Sequence, residues 1–205
     1  MAARQAVRVR TPWESYKRQS IQDAVIRLIC REGLKSVTME RVAQETGIAK
    51  GTVYLHYRDK QELLDAVKES ALAPVMRKFD EALHADGTPD AKLRDVAVQY
   101  FSYFEEHRDL FRVLIYEREV VRVHGSRFQN ERYRHMVQQT SRVINDGIRT
   151  GMFRDVDAHN VAAMFIDSMY ALMNQRLLSE KPAPVDTDAD LIADVFIQGL
   201  EKRKR

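Results

Sequence analysis

The sequence contains a single cysteine, Cys30, so no internal disulfide can form. A small secreted scaffold held by bridges is therefore excluded, and a reducing cytoplasm is the expected compartment. Glycine and proline are scarce, at 8 and 5 of 205 residues, too few for the closely spaced turns of an all-β fold. No apolar run approaches the roughly 18 residues of a membrane helix. The basic opening MAARQAVRVR is followed by no apolar segment, so neither a secretory signal nor a membrane partner is expected. Catalytic motifs are missing as well. There is no G-x-G-x-x-G, no G-x-S-x-G and no H-E-x-x-H. GIAKGT (47–52) lacks both the spacing of a phosphate loop and a preceding strand. The six histidines include no i, i+4 pair, so no helical metal site is read. These absences point away from an enzyme and from any metal or cofactor.

What is present is an ordinary globular composition, 44% hydrophobic, long enough to bury a core without staples. Charge is unevenly placed. Residues 1–60 hold 12 Lys/Arg against 6 Asp/Glu, and residues 61–205 hold 21 against 24. A basic N-terminal third on a mildly acidic body suggests that one end meets a polyanion.

Helical periodicity runs through nearly the whole chain. Ile21, Ala24, Val25, Leu28 and Ile29 share one face of a helix, which Gly33 ends in a left-handed position. Cys30 flanks that face and is expected to be a buried, inert thiol. Thr38 is a natural N-cap, Thr46-Gly47 breaks the next helix after two turns, and Val53, Tyr54 and Tyr57 mark a second short helix. Asp59 and Glu62 resemble a capping box, so a long helix is predicted from Lys60, with a kink or break at Pro74. Further helices are expected from Pro89, around Leu110–Ile115, after Gly125 to Gly151, from Asp157 to about Leu178, and over 188–202. No strand is signalled. The expected class is all-α, with about nine helices. The domains are a basic extension at 1–14, a helix-turn-helix domain at 15–59 with its motif at 38–57, and a helical domain at 60–205. Arg4, Arg8 and Arg10 in the extension read either as an arm entering a minor groove or as a basic tail.

The two short helices carry the functional signal. Gly47 suits the tight turn between them, and Ala43 is small where they must pack. The second helix is polar and aromatic, with Lys50, Gly51, Thr52, Tyr54, His56 and Tyr57, unlike a core helix. Hydroxyls, amines and a close backbone approach are what a helix in a DNA major groove requires. Val53 and Tyr57 are read as core residues, and Arg41 is left open between a phosphate contact and a solvated helix position.

The run TMERVAQETGIAKGTVYLHYRDKQELL (38–64), with IQDAVIRLICREG upstream, resembles the DNA-binding domain of the TetR/AcrR family of transcriptional regulators. The resemblance implies that Thr38 caps the first motif helix and meets a phosphate. It places Lys50, Gly51 and Thr52 where the recognition helix opens onto bases and phosphates. Tyr54 and His56 would touch phosphate, His56 also reaching a base, and Lys60 would set an ammonium beside the backbone. Ala49 departs from the family's usual Ser or Thr, leaving that helix without a side-chain cap. The remaining chain matches in architecture, as a helical effector-binding and dimerisation domain.

In that domain methionines and aromatics are frequent, as in a helical core and also in a pocket for an apolar ligand. The expected effector pocket comprises Phe79, Tyr100, Phe104, His107, Phe111, Leu114, Arg118, Tyr133, Met136, Asn145, Met164, Phe165 and Met169, with Gln175 as a further polar anchor. The expected dimer face comprises Ala162, Phe165, Met169, Leu172, Leu191, Ile192, Val195, Phe196 and Gly199. The resemblance thus implies a cytoplasmic homodimeric repressor of a palindromic double-stranded DNA operator, released by a small apolar or amphipathic effector. The alternative is a helical oligomeric scaffold or small enzyme with a vestigial helix-turn-helix.

Overall fold

The computed structural model describes residues 12–116 and 127–202. Over those residues the chain forms nine α-helices and no strand ladder, the all-α class expected. It divides into two compact units, Met1–Ser70 and Ala71–Arg205. The division falls inside a helix, ten residues after Lys60, where the sequence reading places the boundary.

In the first unit, α1 (Pro12–Glu32) buries Ile21, Ala24, Val25, Leu28 and Ile29. Cys30 is exposed, not buried. One residue is 100° of helical rotation, enough to carry Cys30 from the buried Ile29 past the edge of the apolar stripe. Gly33 takes the positive φ of 80° expected of it, but with ψ 172°, and leads into a single 3₁₀ turn, Leu34–Ser36. Next come α2 (Met39–Thr46), α3 (Lys50–His56) and the start of α4 (Lys60–His84). The capping residues act as their types require. Thr38 Oγ1 accepts from Arg41 N at 3.1 Å, and Asp59 Oδ1 accepts from Glu62 N at 2.8 Å. Glu62 Oε2 in turn accepts from Arg58 N at 2.7 Å. Leu63, Leu64 and Val67 on the first turns of α4 are buried.

α4 runs unbroken through Pro74. A proline inside a helix costs about 3 kcal/mol. Ala71, Val75 and Phe79 around it are buried, and burying side chains of this kind is worth about 1.5–3 kcal/mol each for all but alanine. Packing therefore outweighs the lost donor. The Tyr103 hydroxyl also donates to the Ala71 carbonyl at 2.7 Å, next to the carbonyl that the proline deprives.

The second unit contains the rest of α4 with α5 (Pro89–Glu106), α6 (Arg108–Tyr116), α7 (Arg127–Arg149), α8 (Ala158–Leu178) and α9 (Val185–Leu200). α9 thus starts earlier than the predicted residue 188. α5 packs on α9, and α7 on α8. Gly147 on α7 lets Phe153 close over it, since a Cβ there would lie 2.2 Å from the Phe153 ring. Two arginines tie the helices together. Arg94 on α5 donates to Asp190 at 2.8 Å and Asp194 at 2.6 Å on α9. Arg176 on α8 is buried and reaches Glu105 at 2.9 Å, Asp188 at 2.5 Å and the Ala183 carbonyl at 2.9 Å. A buried guanidinium is tolerable here because its fork donates to two carboxylates and a carbonyl.

Candidate nucleic-acid interface and ligand cavity

The turn between α2 and α3 is built from backbone hydrogen bonds that only a left-handed residue permits. Gly47 lies at φ 70°, ψ 17°, its N–H donating back to Ala43 and Gln44. The Ile48 N–H donates to the Ala43 carbonyl at 3.2 Å. α3 then begins at Ala49 with no side-chain cap. Val53 and Tyr57 are fully buried, as read from the sequence. Gln22 donates to the Tyr57 hydroxyl at 2.8 Å, the Arg18 guanidinium lies 4.3 Å over the Tyr57 ring, and Arg18 donates to the His56 carbonyl at 2.9 Å. α1 therefore holds α3 by both of the residues that end it.

With that face fixed inward, the other face of α3 is solvent-facing. Lys50, Gly51 and Tyr54 are exposed, and Thr52, His56 and Lys60 are half-buried. Lys50 pairs with Glu40 and sits 5.8 Å over the Tyr54 ring. That hydrogen bond holds the Glu40 carboxyl below its ordinary range and raises the Lys50 ammonium. Arg41 is on α2 and is exposed. It donates to both Glu32 oxygens, at 2.9 and 2.6 Å, within a surface network that also joins Arg27 and Arg31 to Glu45. Leu55 is 85% exposed on α3. The sequence reading passed over it, although a leucine next to Tyr54 and off the Val53–Tyr57 stripe has nowhere to go but outward. Gly51 has a helical φ, and nothing lies within 4 Å of where its Cβ would be. The fold itself has no need of a glycine there.

The second unit holds an apolar cavity of about 340 Å³. Each of four helices contributes about one turn: Leu72, Val75 and Met76 from α4, Tyr100 and Phe104 from α5, Arg132, Tyr133 and Met136 from α7, and Asp167 and Tyr170 from α8. Tyr133 donates to Asp167 at 3.2 Å. The Tyr100 hydroxyl is buried and has no hydrogen-bond partner among the described residues. Burial pushes its pKa well above the ordinary value, and the neighbouring Tyr170 adds to the rise.

Of the residues expected to form the pocket, Tyr100, Phe104, Tyr133 and Met136 line the cavity. Phe79, Phe111, Leu114, Phe165 and Met169 are packed in the core instead. His107 packs against Tyr103, ring centroids 4.6 Å apart and planes tilted by 58°. Asn145, Met164 and Gln175 are exposed and off the wall. Arg118, like Arg4, Arg8 and Arg10, lies outside the described residues. Arg132 and Asp167 were missed because charged side chains beside an apolar stripe read as solvated.

The expected dimer face also divides. Ala162, Phe165, Met169 and Ile192 are buried within the chain itself and so belong to its own core. Phe196 is half-buried against Phe165, with ring centroids 5.3 Å apart, and Leu172 is half-buried. Leu191, Val195 and Gly199 are exposed at i, i+4, i+8 along α9. Met164, Ala171 and Leu178 are exposed at seven-residue intervals along α8.

A seven-residue helix with a solvent-facing polar and aromatic side, set by a glycine turn against a capped partner, defines a helix-turn-helix DNA-binding protein. The chain belongs to the TetR family of transcriptional regulators. The family model described as "Bacterial regulatory proteins, tetR family" matches residues 21–67, and that described as "Tetracyclin repressor-like, C-terminal domain" matches residues 86–175. The uncharacterised HTH-type transcriptional regulator YhgD of Bacillus subtilis is 21% identical over 184 residues, 90% of this chain and 96% of that one. The HTH-type transcriptional repressor KstR2 of Mycobacterium tuberculosis is 24% identical over 158 residues, 75% of this chain and 78% of that one. Among solved structures, the regulator FadR of Bacillus subtilis in complex with stearoyl-CoA is similar in fold, with a TM-score of 0.71 at 16% identity, covering 89% of this chain and 99% of that one. Among the described residues no helix is long and apolar enough to cross a membrane, and no cluster of His, Cys, Asp or Glu could hold a metal ion.

Proposed function

We propose that this regulator represses transcription in the cytoplasm as a homodimer on a palindromic operator, and that a small apolar or amphipathic effector releases it. The observation that carries the effector reading is the cavity of about 340 Å³ with, on its wall, the Tyr100 hydroxyl, which no described residue satisfies. Ligand sites of this kind enclose about 300–1,000 Å³ of mostly apolar surface with few polar groups. The Tyr100 hydroxyl is the donor that a polar atom of the effector would meet. Repression accords with the name of KstR2, and FadR offers stearoyl-CoA as a first probe.

On DNA, Lys50, Gly51, Thr52, Tyr54 and His56 form the docking face of α3, flanked by Thr38 and Lys60. Lys50 exchanges Glu40 for phosphate, and Leu55 supplies an apolar contact of the kind a thymine methyl accepts. Arg41, exposed on α2 and paired with Glu32, can exchange that carboxylate for phosphate in the same way. The exposed stripes on α8 and α9 meet their symmetry mates, since two-fold pairing is what a palindrome requires. α4 is the covalent link between the units and the route by which the cavity acts on α3. Release by tenfold to a hundredfold needs a coupling of about 1.4–2.7 kcal/mol.

The test uses a duplex selected by the protein from a random-sequence pool. Tyr54→Ala and Lys60→Ala each weaken binding with unchanged thermal stability, and Lys60→Ala lowers the salt slope by about one. Stearoyl-CoA and a panel of neutral apolar compounds are then screened for release. Mutants that bind like the unmodified chain would overturn the docking face, and a cavity that takes up none of the compounds would overturn the effector.

A further inference from the structure

The first turn of α1 presents a feature that neither the helix-turn-helix nor the cavity uses. Trp13 and Tyr16 are 62% and 66% exposed, and their rings stack with centroids 5.9 Å apart and planes within 10° of parallel. The Lys17 ammonium lies 4.9 Å from the centre of the Trp13 ring. Large aromatic side chains are normally buried, and two adjacent ones left exposed mark a surface that something covers. They form one side of a groove of about 440 Å³, together with Lys17 and Ser20. The opposite side is Thr46, Ile48, Ala49 and Thr52, the turn and first turn of α3.

We infer that this groove is a second DNA-contacting surface, which takes the sugar–phosphate backbone of the strand beside α3. The inference rests on the reading of α3 as the DNA-docking helix. Three observations favour a polyanionic strand as occupant. The groove is continuous with the docking face, because Thr52 belongs to both and Ala49 directly precedes Lys50. Its polar groups include the Lys17 ammonium and the Ser20 and Thr52 hydroxyls, the Thr46 hydroxyl donating to the Val42 carbonyl at 2.8 Å, and no acidic side chain is on its wall among the described residues. Hydroxyls and ammonium groups are the common partners of phosphate oxygens. Finally, the aromatic pair offers flat apolar surface for a sugar to pack on, with Lys17 held over the Trp13 ring. In this arrangement Lys17 pairs with a phosphate, and Trp13 and Tyr16 pack on the adjoining sugars. The contacts position the protein on the duplex and carry no sequence information of their own.

Trp13 is the only tryptophan in the chain, so its fluorescence reports on this groove alone. The full-length protein is titrated with the duplex it selects from a random-sequence pool, and quenching of Trp13 by acrylamide is measured in parallel. Binding is expected to protect Trp13 about threefold or more. Trp13→Ala and Lys17→Ala are expected to weaken binding about threefold to thirtyfold with unchanged melting temperature. Lys17→Ala should lower the salt slope by about one, while Trp13→Phe restores most of the affinity. Duplex binding that depends on Tyr54 and Lys60 but leaves Trp13 equally quenchable overturns this proposal alone. So does a Trp13 already shielded before DNA is added, which would make the chain's own residues or a second copy the occupant. Absence of any duplex binding would remove both this proposal and the docking reading.

Discussion

Gly51→Ala separates what the fold needs from what DNA needs. Gly51 is the second residue of α3, has a helical φ, and has no atom within 4 Å of an ideal Cβ. An alanine there meets no clash and gains the helix preference that glycine lacks, about 0.5–1 kcal/mol. For a chain of this size that is a rise in melting temperature of about 1–4 °C. On DNA the methyl group works the other way. If the first turn of α3 lies against phosphate, the added methyl lifts its amides out of hydrogen-bonding range. One lost hydrogen bond to a charged group is worth about 1.5–3 kcal/mol, or about tenfold to a hundredfold in affinity. Denaturant titrations and gel shifts on the same preparations read both quantities. A variant that is stabilised and binds DNA as before would refute the close approach. A destabilised variant would refute the open space around Gly51.

Three other substitutions address the second unit. Arg176→Ala strands Glu105 and Asp188, and because both retain some solvent the loss should fall at the low end for a broken buried pair, about 3 kcal/mol; a loss under about 1 kcal/mol by chemical denaturation would show the clamp to be incidental. Val195→Glu alters a side chain that is 61% exposed, so thermal stability should change by no more than about 0.5 kcal/mol while light scattering reports monomer. Phe196→Glu would not test the same point, since it also breaks the ring contact with Phe165. Tyr100→Phe removes a buried hydroxyl with no partner among the described residues and should stabilise the chain by about 1–3 kcal/mol, raising its melting temperature while weakening any effector that bonds there; a lowered melting temperature would mean that the hydroxyl is satisfied.

Much of the first unit could be read directly because its signals are local. A cap needs one side-chain oxygen three residues from an amide, and Thr38 and Asp59 declare theirs at that spacing. Gly47 takes a backbone conformation that few other residues adopt, so the turn is written in its identity. The buried pair Val53 and Tyr57 follows from i, i+4 spacing, and with it the outward direction of the residues between them. Periodicity is weaker at its edges, which is why Cys30 came out exposed and why α9 began early.

By itself, then, the sequence determined the helices, their caps, the turn and the solvent-facing side of α3, since each follows from contacts within a few residues along the chain. Tertiary structure alone decided which apolar residues became core, cavity wall or outer stripe. Phe79, Phe104 and Met164 carry the same signal in sequence, yet one is core, one lines the cavity and one faces solvent. It also decided that Arg176 is buried, that Arg132 and Asp167 border the cavity, and that the Tyr100 hydroxyl has no partner among the described residues. The physical reason is that a helix's own pattern fixes only which side is apolar. Whether that side meets a neighbour, a gap or solvent depends on how far apart the helices pack, and residues dozens of positions distant set that spacing.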